Sequence, residues 1–302
     1  MYSDTHFHFE HTVTSLLNEN ENAGKEILTQ MVKNNCFFGL DIGTECNDLL
    51  NRVLCVDSNI EKITDSEIKE KAKHLVYFSS GIWPSVQEIK NRKQGIKTLK
   101  EQIKNLKDFN TKNIIHKKIV AIGECGLDHH WNPNGADERN ENDFNAELYN
   151  AERELFQMQL ELAKEMQLPV IIHSRDAFLD TLDCIKNVGY NNGIIHCYSY
   201  GLSEAEEFLK LGWYISFSGS VTYTKKSKME EMQNLLKFIP KEKLLCETDS
   251  PYLAPVPLRG KTNTPPFVEH TYNFIAKARN ISTDELCDSV DKNIKTLFNL
   301  TE

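Results

Sequence analysis

The sequence lacks any apolar stretch that approaches a membrane span, and its amino terminus lacks the basic segment and apolar run of a secretory signal. It also lacks an excess of basic charge, because 35 Lys and Arg stand against 44 Asp and Glu, for a formal net charge of −9. Non-specific affinity for nucleic acids comes mainly from Lys and Arg that neutralise phosphates. The charge therefore argues against a general nucleic-acid coat protein, but not against an enzyme that meets phosphates through bound cations.

Cysteines are few and scattered. The eight Cys of the 302-residue chain show no close pairing, which is typical of thiols in a reducing compartment rather than of a disulfide framework. With 40% hydrophobic and 26% charged residues, the composition is that of a globular protein able to bury a large core. We therefore expect a soluble cytoplasmic monomer, with no membrane association, in which residues 1–302 form one domain.

Short apolar runs alternate with longer amphipathic ones along the chain. The predicted strands are residues 2–7, 36–42, 75–79, 119–122, 169–173, 193–197, 213–217 and 244–247. The predicted helices include residues 25–33, 86–106, 151–166, 178–187, 204–211, 229–238, 266–279 and 283–299. Strands separated by helices imply parallel βαβ units, and eight repetitions predict an α/β fold, a (β/α)8 TIM barrel with its chemistry at the carboxyl ends of the strands.

The competing fold is a doubly wound open sheet. No Gly-x-Gly-x-x-Gly follows the first predicted strand, which argues against a dinucleotide-binding sheet. The one compositional break is the polar stretch 129–147, which we predict to be a solvated surface loop with His129 and His130 exposed. Contact of these two histidines with the site is the alternative. Because this stretch follows the fourth strand at the expected catalytic face, a lid is the alternative interpretation.

Histidines and carboxylates stand where the predicted strands end. His6 and His8 alternate with Phe7 and therefore point to the same face of the first strand. The fourth, fifth, sixth and eighth strand ends add Glu124, His173, His196 and Asp249. Charged groups in such places are costly to bury unless they are paired or bound to a cation. The set therefore indicates a metal centre, with ion pairs that plug the barrel mouth as the alternative.

The donor set fits divalent cations. Four imidazoles and two carboxylates are enough to hold two ions about 3.5–4 Å apart, as in two-metal hydrolases. Mixed nitrogen and oxygen ligands suit Zn, Mn, Co or Ni, while Mg suits a site dominated by carboxylate and phosphate oxygens. Asp249 is the candidate base, because it can take the proton of a metal-activated water and later give it to the leaving group. We expect it across the barrel mouth from His6 and His8.

The motifs that carry these residues resemble the TatD family of metal-dependent deoxyribonucleases. They are Asp4-Thr5-His6-Phe7-His8, Gly123-Glu124-Cys125-Gly126-Leu127-Asp128, His173-Ser174-Arg175-Asp176-Ala177, His196-Cys197-Tyr198, Glu247-Thr248-Asp249-Ser250-Pro251-Tyr252-Leu253 and Arg259-Gly260-Lys261 with Asn263 and Pro265. The resemblance implies an amidohydrolase-like TIM barrel that hydrolyses DNA, commonly as a magnesium- or manganese-assisted 3′–5′ exonuclease, with zinc often found in structures. It also implies one metal held by His6, His8, Glu124 and Asp249, and another held by Glu124, His173 and His196.

One departure from the family concerns the third strand, where Trp83 and Pro84 stand in place of a frequent His-Pro pair. Trp83 cannot bind a metal, so two interpretations remain open, packing at the barrel rim and stacking on a base. The candidate substrate contacts are Arg175, Tyr198, Lys225 and Tyr252. Core packing is the alternative for the two tyrosines, and a solvated surface position is the alternative for Lys225. Arg175 is suited to clamping a phosphate with two hydrogen bonds, although it can equally pair with a nearby carboxylate.

The predicted substrate is DNA, either single-stranded or at 3′ ends. A second hypothesis within the same fold is a metal-dependent hydrolase of a small amide, ester or lactone. A third is a non-catalytic metal-binding or scaffold protein, which would tolerate the loss of Asp249. Positive charge near the centre at Arg175, Lys225 and Lys226 favours the phosphodiesterase over the small-substrate hydrolase.

Overall fold

Eight parallel strands, paired in sequence order, form the sheet of this protein, whose structure is a computed structural model that describes residues 2–110, 119–130 and 139–300. The strands are β1 (Asp4–Phe7), β2 (Gly39–Asp41), β3 (Val76–Ser80), β4 (Ile119–Asp128), β5 (Val170–Arg175), β6 (Gly193–Ile195), β7 (Tyr214–Phe217) and β8 (Leu244–Cys246). Each strand pairs with the next in parallel, and helices connect them. The predicted (β/α)8 barrel is confirmed.

Twelve α-helices lie within the described ranges. They are α1 (Phe9–Leu16), α2 (Ala23–Lys33), α3 (Leu49–Glu61), α4 (Ser66–Ala72), α5 (Val86–Lys90), α6 (Arg92–Asn110), α7 (Ala146–Met166), α8 (Phe178–Val188), α9 (Leu202–Lys210), α10 (Met229–Phe238), α11 (Val268–Arg279) and α12 (Thr283–Leu297). The single helix predicted over residues 86–106 is wrong, because Asn91 separates α5 from α6. In the part of the chain that the structure describes, no helix combines the length and apolar character needed to cross a bilayer.

The barrel closes at a seam between β8 and β1. The amide of Asp249 donates to the carbonyl of His6 at 2.8 Å, and the amide of His8 donates to the carbonyl of Ser250 at 2.8 Å. Buried Asp4 reinforces the seam, because its carboxylate accepts from the amide of Thr248 at 2.9 Å and from its hydroxyl at 2.6 Å. The seam therefore fixes the end of β8 beside the end of β1.

Two hydrophobic clusters surround the strands. The smaller one packs the apolar faces of α1 to α4 against β1 and β3, around residues such as Phe9, Leu28 and Phe78. The larger one packs the remaining strands against α6 to α12, with Trp213 and Tyr272 among its fully buried side chains. Because the helices cover the outside of the sheet, the carboxyl ends of the strands are left to form the functional face.

Strand β4 extends beyond its predicted end at residue 122 and reaches Asp128. Its pairing with β5 shifts register between Ile122 and Cys125, where glycines interrupt the apolar pattern. Gly126 adopts a φ of +150°, and a Cβ there would overlap the carbonyl of His173. Glycine thus allows β4 to approach β5 closely, and the side chains of Glu124 and His173 come to share one site.

The polar stretch 129–147 is only partly a loop. Residues 131–138, with Pro133 and Gly135, lie outside the described residues. Glu141–Asp143 form a short 3-10 helix, and α7 begins at Ala146 rather than at the predicted residue 151. Asn145 caps this helix, since its side-chain oxygen accepts from the amide of Leu148 at 2.9 Å.

Candidate metal centre

Glu124 occupies the middle of the candidate centre and is almost fully buried. Its Oε1 lies 2.9 Å from His196 Nε2 and 3.0 Å from His173 Nδ1. Its Oε2 lies 3.4 Å from His6 Nε2 and 3.8 Å from His8 Nε2. The carboxylate therefore presents one oxygen to each of two pairs of histidines.

Asp249 lies close to His6 and His8. Its Oδ1 lies 3.5 Å from His6 Nε2 and 3.7 Å from His8 Nε2. From the sequence, Asp249 was expected across the barrel mouth from these histidines; this is wrong, because the seam makes β8 and β1 neighbours. The first donor set comprises His6 Nε2, His8 Nε2, Glu124 Oε2 and Asp249 Oδ1. The second donor set comprises Glu124 Oε1, His173 Nδ1 and His196 Nε2.

Both donor sets fit a divalent cation. Two ligands that each lie about 2.1 Å from one ion are about 3–3.5 Å apart, and the atoms of the second set are separated by 2.9, 3.0 and 3.3 Å. In the first set, both ring nitrogens of His6 are buried without a hydrogen-bond partner among the described residues. Buried polar atoms are normally satisfied, so an unsatisfied imidazole amid carboxylates indicates a site built for a cation.

The second ring nitrogen of three of these histidines faces a polar neighbour, and for His173 and His8 the two atoms are hydrogen-bonded. His173 Nε2 lies 2.9 Å from Asp128 Oδ2, and His196 Nδ1 lies 3.3 Å from Glu247 Oε1. The Nδ1 of His8 lies 3.3 Å from the carbonyl oxygen of Ile42. Such partners fix the orientation of a metal-binding imidazole, and they leave the opposite nitrogen facing the donor sets.

Asp128 and Glu247 received no role from the sequence, although both belong to the quoted motifs. Asp128 is anchored at its amide, which donates to Glu152 Oε1 at 2.9 Å. Glu247 accepts from the amide of Cys197 at 2.6 Å. Spacing was the available signal for Asp128, since it lies four residues after Glu124 on β4 and an even spacing along a strand keeps side chains on one face.

The carboxylates of the centre stay ionised. Burial alone would raise the pKa of Glu124, but its contacts with His196, His173 and His6 bring that pKa well below its ordinary value. Burial likewise opposes ionisation of Asp249, and its hydrogen bond with His8 outweighs this and lowers the pKa of the carboxyl group. Both groups therefore present negative charge to a cation near neutral pH.

The pKa values of the histidines are shifted in different directions. Burial, with a further contribution from the charge of His196, lowers the pKa of His6, so that this ring keeps a free lone pair. Burial also disfavours the charged form of His173, but hydrogen bonds to Asp128 and Glu124 raise its pKa to about 9. A cation that binds His173 must therefore displace a proton, whereas at His6 it meets a neutral ligand.

Five residues of the donor sets line a cleft of about 570 Å³, namely His8, Glu124, His173, His196 and Asp249. Among the residues that line it are the predicted contacts Arg175 and Tyr252, and also Trp83, His130 and His11. Trp83 is half-buried and makes an edge contact with His173, with 5.8 Å between the ring centroids. Of the two predicted exposed histidines, His130 borders the cleft, while His129 is largely buried against Glu152.

Two predicted substrate contacts lie outside the cleft lining. Tyr198 is buried in the hydrophobic core, where its ring meets Phe217 edge-on and its hydroxyl donates to the carbonyl of Gly201 at 2.6 Å. Its ring and its hydroxyl group therefore make their contacts in the core and not in the cleft. Lys225 is exposed on the segment after β7, and it is not among the residues that border the cleft.

The family profile described as TatD related DNase matches residues 3–299. The chain belongs to this TatD family. Two relatives are described as uncharacterized metal-dependent hydrolases, YabD of Bacillus subtilis, 38% identical over 187 residues, and YcfH of Escherichia coli K12, 35% identical over 184 residues. These alignments cover 61% and 60% of this chain and 67% and 63% of the relatives, so the chain matches about two thirds of their length. This TatD-family protein is a metal-dependent hydrolase.

A solved structure shares the fold. The crystal structure of YJJV, a TatD homologue from Escherichia coli K12, superposes with a TM-score of 0.75 at 24% identity and covers 99% of this chain and 98% of its own. The resemblance inferred from the motifs is thus confirmed for the family and for the barrel. At this level of identity the structural likeness concerns the fold alone.

Proposed function

We propose that this protein is a deoxyribonuclease that removes nucleotides from the 3′ ends of DNA with the help of two divalent cations, Mg, Mn or Zn. The observation that carries the proposal is the division of Glu124 between two donor sets. Oε1 faces His173 and His196, and Oε2 faces His6 and His8. One carboxylate shared in this way supports a pair of cations, the arrangement that suits an in-line displacement at phosphorus.

Cations held by these donors would polarise a phosphoryl oxygen and make water more acidic. The chain's own contribution at the attacking side is Asp249. Its Oδ1 belongs to the first donor set, which leaves Oδ2 to take a proton from the attacking water. Since Asp249 is ionised near neutral pH, it is ready to accept that proton.

Three residues of the cleft support a nucleic-acid strand end as the substrate. Arg175 is exposed at the cleft and carries the planar guanidinium that suits a phosphate diester. Trp83 and Tyr252 offer aromatic rings on which bases can stack. The volume of about 570 Å³ lies in the range of small-ligand pockets, which favours one or two terminal nucleotides over an intact duplex.

The test uses short single-stranded DNA labelled at either the 5′ or the 3′ end. The purified protein is incubated with each substrate in Mg, Mn, Zn or a chelator. We expect a ladder of successively shortened 5′-labelled products with a cation present, and none with the chelator. Immediate release of label from the 5′ end would contradict the proposed polarity. If the DNA remains full-length under every metal condition, the proposed deoxyribonuclease activity is wrong.

The role of Arg175 is tested beside a matched control. Arg175→Gln removes a cation from the cleft, so KM for DNA should rise. Arg92→Gln removes a cation that pairs with Glu154, a residue outside the cleft lining, and should leave KM unchanged. Hydrolysis of a small ester, amide or lactone by a protein that leaves DNA intact would establish the small-substrate hydrolase instead.

A further inference from the structure

We propose that His130 donates a proton to the leaving oxygen, with Asp176 as its positioning residue; this inference rests on the proposed phosphodiesterase. His130 lies just beyond the end of β4, and Asp176 just beyond the end of β5. His130 Nδ1 lies 2.6 Å from Asp176 Oδ2, and His130 is among the residues that line the cleft. Neither residue belongs to the two donor sets.

Asp128 connects His130 to the metal centre. The amide of His130 donates to Asp128 Oδ1 at 2.9 Å, while Asp128 Oδ2 contacts His173 Nε2 at 2.9 Å. Asp128 thus ties the backbone of His130 to a residue of the second donor set. The His130 side chain is 38% exposed, so its ring is accessible to both substrate and solvent.

His130 and Asp249 lie on opposite sides of the barrel mouth. In the ring of eight strands, β4 and β5 are diametrically across from β8 and β1. An in-line displacement places the attacking and leaving oxygens on opposite sides of phosphorus. If water approaches from Asp249, the leaving oxygen departs toward the side on which His130 stands.

The proton balance assigns one atom to each residue. The oxygen of water forms a bond to phosphorus and gives a proton to Asp249 Oδ2, while the bond from phosphorus to the sugar O3′ breaks. The departing O3′ takes the proton from Nε2 of doubly protonated His130. Asp176 retains the Nδ1–H, so the ring is left as one defined neutral tautomer. Proton exchange with solvent then deprotonates Asp249 and reprotonates His130. The products are a 5′-mononucleotide and a strand with a free 3′-hydroxyl.

The test compares two substrates that yield the same 5′-phosphorylated product with different leaving groups. An oligothymidylate expels a sugar alkoxide, which needs a proton, whereas the p-nitrophenyl ester of thymidine 5′-phosphate expels a stable phenolate, which does not. Single-turnover rates are measured in Mg or Mn for the wild type and for His130→Asn. We expect a loss on the order of 10²–10⁴ on the oligonucleotide and a rate close to wild type on the nitrophenyl ester.

Two further variants complete the experiment. Asp176→Asn keeps a hydrogen-bonding side chain but loses the negative charge, so it should show a smaller loss with the same dependence on the leaving group. His74→Asn alters an exposed histidine that precedes β3 on the opposite face of the barrel, and it should match the wild type on both substrates. Metal content is measured for every variant and should equal that of the wild type.

If His130→Asn lowers the single-turnover rate equally on both substrates, His130 acts in binding or structure and is not the proton donor. If the rate falls on neither substrate, the proposed proton donor is also wrong. A wild-type protein that hydrolyses neither substrate would instead refute the proposed phosphodiesterase, and the role of His130 would fall with it. The two failures are distinguished by the wild-type rate, which is measured first.

Discussion

Asp128 Oδ2 and His173 Nε2 lie 2.9 Å apart, and this contact directs the opposite nitrogen of His173 toward Glu124. The first prediction follows from it. Asp128→Ala should leave His173 free to rotate and should weaken metal affinity about 10–100-fold. Titration calorimetry with Zn or Mn measures this, with Asp183→Ala on the exposed face of α8 as the control. Unchanged affinity in Asp128→Ala would show that the contact does not orient the ligand.

Glu124→Ala should remove metal from both donor sets, because one carboxylate serves each of them. The fold should survive, since residues at the catalytic face of a barrel rarely hold it together. Elemental analysis gives the metal content, and circular dichroism reports the fold. Glu161→Ala, which alters an exposed carboxylate on α7, should keep the metal of the wild type. Two ions still bound to Glu124→Ala would rule out the bridge.

Asp249→Asn should lower kcat by about 10²–10⁴, the usual cost of losing a general base. The amide keeps the size and one ligand oxygen, but it cannot accept the proton, so substrate affinity should change little. Single-turnover cleavage of a short oligonucleotide is measured together with metal content. A variant that retains both metals and cleaves at the wild-type rate would refute Asp249 as the base.

The acidic surface should make DNA binding weak without metal and only slightly dependent on salt. The chain carries a net charge of −9, so few phosphates are neutralised by side chains. The slope of log affinity against log salt reports the number of such contacts, and it should be shallow. Fluorescence anisotropy over a series of salt concentrations measures the slope. A steep slope, typical of many phosphate contacts, is the contrary outcome.

Gln159 ties α7 to the backbone beside Trp83. Its Oε1 accepts from the amide of Ile82 at 2.8 Å, and its Nε2 donates to the carbonyl of Ile82 at 2.9 Å. Gln159→Leu should lower the free energy of unfolding by at least about 1–3 kcal/mol, the cost of one unsatisfied buried polar group. Denaturant unfolding measures the change. Gln30→Ala, on the exposed side of α2, should stay within about 0.5 kcal/mol of the wild type.

The barrel and its principal donors could be predicted from the sequence because both depend on local pattern. Apolar runs mark strands, and parallel strands in one barrel bring their carboxyl ends together whatever their separation along the chain. His6, His173 and Asp249 were therefore placed on one face without knowledge of a single contact. The helix break at Asn91 was missed, because the amphipathic pattern continues across it while the backbone does not.

Other features depend on contacts that no pattern encodes. The end of β4 was placed too early because Gly123 and Gly126 interrupt the apolar pattern, whereas they allow a close approach between strands. Tyr198 lies two residues after the candidate ligand His196, but its ring packs in the core. His130 was assigned to the surface because its partner, Asp176, is brought near only by the pairing of β4 with β5.

The seam between β8 and β1 also has a consequence for the order of events in folding. His6 and His8 are made early in synthesis, but the first donor set needs Asp249, more than two hundred residues later. Contacts with such sequence separation form late, because a long loop must close before they can be made. A growing chain therefore carries no assembled first donor set until its last strand has emerged and docked. The first donor set is therefore assembled only when β8 pairs with β1 and the barrel is complete.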